Sequence, residues 1–439
     1  MKDQKEFKEE ILHRVSIKKT EKQRRMKNLT VCTRFILCLV LLAVILLQPT
    51  ATVKAANLMD GITPNAVIGS VADDRFTAAQ TNFALRLFQA CADQTSDKNT
   101  LVSPISVMLA LAMTANGADG QTKAEMEAVL GMPIEELNAF LYSYVNHLPI
   151  SETAKVVIAN SIWYRDDPQL TVKQPFLQAN ADYYGAAAYK APFDDSTVRD
   201  INNWTNAHTD GMIDKIINTI NDSAMLYLIN ALVFDAKWES PYKDASQVSE
   251  DQIFTAYDGA EQTVTMMHQT EYTYLSDSLA TGFMKFYAGK DYAFAALLPN
   301  EGVAIEDYVA SLTADGLRNT LNSAIGANVE ASMPRFSYDY DLELNEVLIN
   351  MGMPSAFNSQ ADFSSMSNMD LHIGKVLHKT HIAVDTQGTR AAAVTLVGMD
   401  AGSMPFESYR VTLDRPFVYL IVDTQTNIPL FIGTVLSIG

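Results

Sequence analysis

The chain has 439 residues, 48% of them apolar, and only three cysteines, which is ample material for a large core without disulfide or metal staples. Residues 1–56 hold 12 of the 33 basic and 5 of the 51 acidic residues, so the remainder carries a net charge of −25. A body that acidic repels phosphate backbones and argues against nucleic acid as a partner. Cys91, alone beyond the first segment, excludes a disulfide framework and a thiolate metal site.

The chain opens with a basic stretch, Lys2 to Arg34, which includes Cys32. An unbroken apolar run from Phe35 to Leu47, containing Cys38, follows and ends at Gln48-Pro49-Thr50. With small side chains in Val53-Lys54-Ala55-Ala56, this order reads as a secretory signal cut after Ala55 or Ala56. The run is short for a bilayer span, which takes roughly 17 to 25 residues. The other reading is an uncleaved anchor through 35–47, and both place the body outside the cytoplasm, with membrane contact only if the segment stays. Residues 1–56 are therefore set aside as basic region plus signal or anchor, and 57–73 as an extension. Residues 74–439 read as a single domain, because no repeat, low-complexity tract or linker divides them.

Helical signals come first in that body. Phe83, Leu87, Phe88 and Cys91 recur at helical spacing, and Thr122-Lys123-Ala124-Glu125 reads as a capping box opening a helix that stops at Gly131. Strand signals follow: Val156 to Ile158 with Ile162 to Tyr164, then Met225 to Phe234, Tyr292 to Leu298, and Phe417 to Val422 with Leu430 to Leu436. The last two flank Thr424 to Pro429, which suits a hairpin. Helices early and strands late predict an α+β architecture.

The sequence gives no local signature of catalysis. It lacks Gly-x-Ser-x-Gly, His-Glu-x-x-His, Gly-x-Gly-x-x-Gly and the phosphate-binding Gly-x-x-x-x-Gly-Lys-Ser/Thr, and its seven histidines are scattered without ligand spacing. The expectation is a protein that is not an enzyme, with no catalytic residue, metal or cofactor.

The most informative segment lies between Thr386 and Pro416. Every second residue from Thr389 is uncharged and mostly small: Thr389, Ala391, Ala393, Thr395, Val397 and Met399. The alternate set, Arg390, Ala392, Val394, Leu396, Gly398 and Asp400, holds both charges. A strand entering a sheet would bury the first set and expose the second. No proline occurs from Ser355 to Met404, so the backbone donors for a ladder are present, and Gly388 can absorb the rotation of a hinge.

Gly388-Thr389-Arg390-Ala391-Ala392-Ala393 resembles the proximal hinge of the reactive-centre loop of inhibitory serpins, and the secretory leader gives it the look of a secreted prokaryotic-style member. The resemblance runs from about Asp74 to Gly439. Asn99 to Gly131 is similar to the family's segment leading through its second helix, and Ile201-Asn202-Asn203-Trp204 with Thr209, Gly211 and Ile213 to its helix F region. Asn230-Ala231 with Phe234 and Trp238 resembles the Asn-Ala-x-x-Phe-x-x-x-Trp strand. Pro334-Arg335-Phe336, Ala361 to Ser364, Asp414 to Phe417 and Leu430 to Gly433 complete the series.

What the resemblance implies is a serpin fold of three β-sheets, including a large central one, with about eight or nine helices and an exposed reactive-centre loop at about 386–412. It implies suicide inhibition of a serine protease: the loop is cleaved, the protease is trapped as an acyl-enzyme, and the loop inserts into the central sheet of a metastable, monomeric protein. Ser103, Ser106, Asn230 and His378 match the shutter beneath the opening strands, and Trp238 the breach where insertion begins. The family usually has Glu where this chain has Thr386 and Arg390, and Thr386 thereby lacks a carboxylate that pairs at the breach in some members.

Counting from Gly388 puts the reactive bond at Gly402-Ser403, and counting back from Pro416 puts it at Pro405-Phe406. Met399, Ala401 and Met404 are the remaining candidates. No Lys or Arg lies between Arg390 and Arg410, so elastase-like or subtilisin-like targets are expected rather than trypsin-like ones. The alternative is a non-inhibitory serpin acting as a binding or envelope protein.

Overall fold

The computed structural model describes residues 55–95, 97–221, 224–389 and 407–438. Nine α-helices occur among them: α1 (Asp74–Gln94), α2 (Pro104–Ala115), α3 (Gly120–Leu130), α4 (Ile134–Asn146), α5 (Gln174–Tyr184), α6 (Asp195–His208), α7 (Ile305–Ser311), α8 (Ala314–Asn322) and α9 (Asn345–Met351). The first eight strands are β1 (Ala56–Asn57), β2 (Thr100–Val102), β3 (Ala154–Arg165), β4 (Ala187–Ala191), β5 (Leu226–Lys237), β6 (Val248–Thr255), β7 (Glu261–Ser276) and β8 (Ala280–Phe286). The rest are β9 (Tyr292–Pro299), β10 (Ile325–Pro334), β11 (Phe336–Glu343), β12 (Lys375–Val384), β13 (Gly388–Thr389), β14 (Ser408–Thr412), β15 (Phe417–Asp423) and β16 (Pro429–Val435).

Local chemistry explains the helix ends. Asp73 caps α1 by accepting from the Phe76 amide at 2.8 Å, and the stripe Phe83, Leu87, Phe88 and Cys91 faces the core. In α2 every residue is buried, as suits a helix that is apolar all round and runs through the centre of the molecule. The capping box expected at Thr122 is not one. Asp119 is the cap of α3, Thr122 lies inside the helix and accepts from the Asp362 amide at 2.9 Å, and Glu125 holds the Ser355 amide and hydroxyl. The expected stop is present, since Gly131 turns left-handed at φ 81°.

The seven-stranded first sheet has the order β1-β4-β3-β5-β13-β12-β11. Of the three sheets the resemblance implies, the other two are continuous by hydrogen bonding. Their path is β14-β10-β7-β8-β9-β15-β16-β2, with the 16-residue β7 also carrying β6. The hairpin β15–β16 pairs Phe417 with Val435 through Ile421 with Phe431.

Strand β5 shows why the sequence reads as an apolar run. Leu226, Leu228, Leu232, Phe234 and Ala236 point into the main core beside α2, while Tyr227, Ile229, Ala231 and Val233 point the other way. There they meet Ile201 and Trp204 of α6, and a strand covered on both faces loses its polar alternation. Asn230 is the polar exception on the core-facing side.

Candidate functional site

The site grows out of the end of β12. After Val384 the chain turns through Asp385-Thr386-Gln387, and the Asp385 carboxylate closes the turn by accepting from the Gln387 amide at 2.7 Å and the Gly388 amide at 3.2 Å. The chain then re-enters the first sheet as β13. Gly388 pairs with Lys237 and Thr389 with Ala236 on β5, and Thr389 pairs with Val384 on β12, antiparallel on both sides. A Cβ on Gly388 would lie 2.1 Å from the Ala236 carbonyl oxygen. Close backbone approach by itself requires glycine here. Thr389 is buried and shares a 2.6 Å hydrogen bond with the Tyr287 hydroxyl.

Below β13 the two flanking strands meet directly. Lys375–Lys379 of β12 pairs in parallel with Tyr227–Ala231 of β5. Between those rungs and β13, residues 232–235 and 380–383 face one another with no strand between them among the described residues.

Trp238 and Tyr242 grip the turn. The Trp238 amide donates to the Gln387 carbonyl, its indole N–H to the Asp385 carbonyl, and the Tyr242 amide to the Thr386 carbonyl, each at 2.9 Å. The indole stacks on Tyr287 at 4.5 Å, so one aromatic layer carries both the turn and Thr389.

The four residues matched to the shutter come together, with all of them fully buried. Asn160, Asn230 and His378 lie on one rung across β3, β5 and β12. The Ser103 amide donates to His378 Nε2 at 3.1 Å, which places the ring proton on Nδ1. That proton is donated to Asn230 Oδ1 at 2.7 Å, and Asn230 Nδ2 then donates to Ser106 Oγ at 2.5 Å and Asn160 Oδ1 at 2.6 Å. Burial pushes the His378 pKa down to about 3, so the ring is neutral. Ser103 joins through its amide alone, since its hydroxyl has no partner. A neutral histidine and a serine sealed in the interior have no route to a substrate.

Arg390, Ala391, Ala392 and Ala393 of the hinge lie outside the described residues. So do all the reactive-bond candidates, Met399, Ala401, Gly402, Ser403, Met404, Pro405 and Phe406. Sequence reasoning missed Asn160, Tyr242, Tyr287 and a buried pair beneath Trp238, Lys285 on β8 with Glu271 on β7.

The family model described as serpin (serine protease inhibitor) matches residues 78–438. The chain belongs to the serpin family. A serpin-like protein of Thermococcus kodakarensis is 30% identical over 371 residues, covering 82% of this chain and 85% of that one. The leukocyte elastase inhibitor of Bos taurus is 29% identical, with 83% and 100% covered. Among solved structures, the thermophilic serpin tengpin in its native state is 45% identical with a TM-score of 0.84, covering 88% of this serpin and all of that chain. The latent state of tengpin scores 0.75 at 42% identity, with 85% and 100% covered. Human thyroxine-binding globulin, solved with its ligand, also scores 0.75 at 26% identity, with 82% and 98% covered. This serpin shares the α+β serpin fold of these structures, and its family comprises protease inhibitors together with members of other function.

Proposed function

We propose that this serpin inhibits serine proteases as a suicide substrate: cleavage of the exposed loop lets it zip into the first sheet while the protease is still acylated. The observation that carries the reading is the register of β13. Continued as an antiparallel strand from Thr389 opposite Ala236 and Val384, it sets Ala391 against Phe234 and Ile382, and Ala393 against Leu232 and Thr380. Six residues on from Thr389, both flanking strands bring Thr395 to the rung of Asn230 and His378. The two counts agree, so one strand fits both edges without a bulge. A hydroxyl arriving there can take over the bond between Asn230 and His378 as the strands part. Each added ladder bond contributes about 0.5 to 1.5 kcal/mol, so a dozen supply on the order of 10 kcal/mol.

The greater likeness to native than to latent tengpin supports a resting state with the loop held out. The leukocyte elastase inhibitor among the relatives fits the absence of basic residues between Arg390 and Arg410, so the targets assigned are elastase-like or subtilisin-like. The basic leader and its apolar run support a secreted or surface-anchored protein. The test is incubation with a panel of such proteases: a complex that survives boiling in SDS is expected, and simple digestion by every member refutes inhibition. In the second reading, which the thyroxine-binding globulin likeness favours, this serpin is a binding protein whose cleaved loop stays out.

A further inference from the structure

Lys285 is 1% exposed and Glu271 8%, yet neither belongs to the shutter or the hinge. The Lys285 ammonium uses all three of its protons: on Glu271 Oε1 at 2.7 Å, Gln269 Oε1 at 2.8 Å and the Ser240 carbonyl at 3.0 Å. It also sits 4.5 Å from the centre of the Tyr242 ring and 5.4 Å from that of Trp238. Ser240 lies midway between these two aromatic residues, so the ammonium fixes both rings and the backbone that joins them.

Such a pair is a poor way to gain stability. Burial pushes Glu271 up and Lys285 down against their mutual attraction, and well-packed apolar residues in place of a buried pair are often neutral or stabilising. What the pair supplies is a rigid seat. The two rings that the ammonium contacts belong to the residues whose N–H groups hold the carbonyls of Asp385, Thr386 and Gln387. That turn is the pivot between β12 and the strand that enters. At the same pivot Thr386 carries no charge of its own.

We propose that Lys285 and Glu271 are positioning residues for loop insertion: they hold Trp238 and Tyr242 against the pivot, so that the cleaved loop enters in register faster than the acyl-enzyme hydrolyses. The inference rests on the inhibitory reading above. Loosening the pivot slows entry, and more inhibitor is then consumed as plain substrate.

The test uses Glu271→Gln, which keeps the acceptor and removes the charge, and the double variant Lys285→Met/Glu271→Leu, which replaces both partners by apolar groups. Hydrogen exchange reads the clamp directly. In Glu271→Gln the amides of Trp238 and Tyr242 are expected to exchange about tenfold faster, with the Asn230 amide unchanged. The moles of inhibitor consumed per mole of protease are expected to rise at least about threefold in both variants, while the double variant keeps its melting temperature within a few degrees. Unchanged exchange at Trp238 and Tyr242, uniform acceleration along the chain, or unaltered consumption of inhibitor by a folded variant overturns the proposal. If the unaltered protein complexes no protease, it is the inhibitory reading that falls, and the exchange measurement still decides the clamp.

Discussion

His378 is where a single proton reaches the whole mechanism. Its ring is neutral because burial holds its pKa at about 3, against 6.5 in the unfolded chain. As pH falls the unfolded chain takes up the proton first, so the folded state loses stability from about 6.5 downward and retains all of it above that value. Between pH 6.5 and 4.5 this group alone removes about 2.5 kcal/mol. The urea midpoint of the native protein should fall over that range, and His378→Gln should flatten that part of the profile. A profile unchanged by the substitution would show that the ring is protonated or solvated in the folded protein. Truncating Asn230 to Ala orphans the fully buried His378 N–H and Ser106 hydroxyl together, and removes the donor to the half-buried Asn160 oxygen. A loss of about 2 to 6 kcal/mol in native stability is expected by denaturant titration, from about 1 to 3 kcal/mol for each of the two fully buried groups.

At this scale the sequence was readable only in part. Asn230 and His378 were found through motifs, but Asn160 lies in a different strand and joins them only because register puts all three on one rung. Lys285 and Glu271 belong to no motif that would single them out. The available signal was a lysine between Met284 and Phe286 in an apolar strand, where neighbours on both sides leave a charge little room to reach water.

Among the described residues strand β13 is two residues long, and on the inhibitory reading its register sets how the loop enters. Gly388→Ala places a methyl group 2.1 Å from the Ala236 oxygen, and overpacking of this kind costs about 1 to 3 kcal/mol. The hinge should be pushed out of its slot. On SDS gels, cleaved inhibitor should then accumulate at the expense of complex, and equal amounts of complex would show that β13 plays no part in initiation. The parity read from Thr389 onward anticipated a buried threonine, and Thr389 is buried. What could not be read was the glycine's purpose, because the proximity of Ala236 depends on a strand some 150 residues away. The misplaced start of α3 has a tertiary cause. Asp119 and Thr122 are both competent caps, and the choice between them is made by contacts with Asp362 and Ser355.

For the molecule as a whole, the inhibitory reading implies a resting fold that is not the most stable arrangement of its own chain. With on the order of 10 kcal/mol gained on insertion, cleavage within 399–406 should raise the melting temperature by roughly 10 °C or more. A calorimetric scan before and after limited proteolysis checks this, and an unmoved transition would favour the binding-protein reading. The general architecture was legible because two early helices and several long strands carry local signals, and because a family's motifs recur in order and imply the rest. That the second and third sheets form one continuous path was not, since it depends on the two ends of β7 choosing different neighbours.

The central strands β5 and β12 run in the same direction where they touch. Same-direction neighbours are joined by slanted bonds that are slightly weaker per residue than those between opposed strands. An arriving segment that continues β13 is opposed to both. Each rung that unfastens is therefore replaced by two of the sturdier kind, and retreat requires undoing twice as many, each harder to undo. On the inhibitory reading the fold is a one-way fastener, loosest along the line that must part and tightest once it has closed, and a spent molecule is expected to have no path back to readiness.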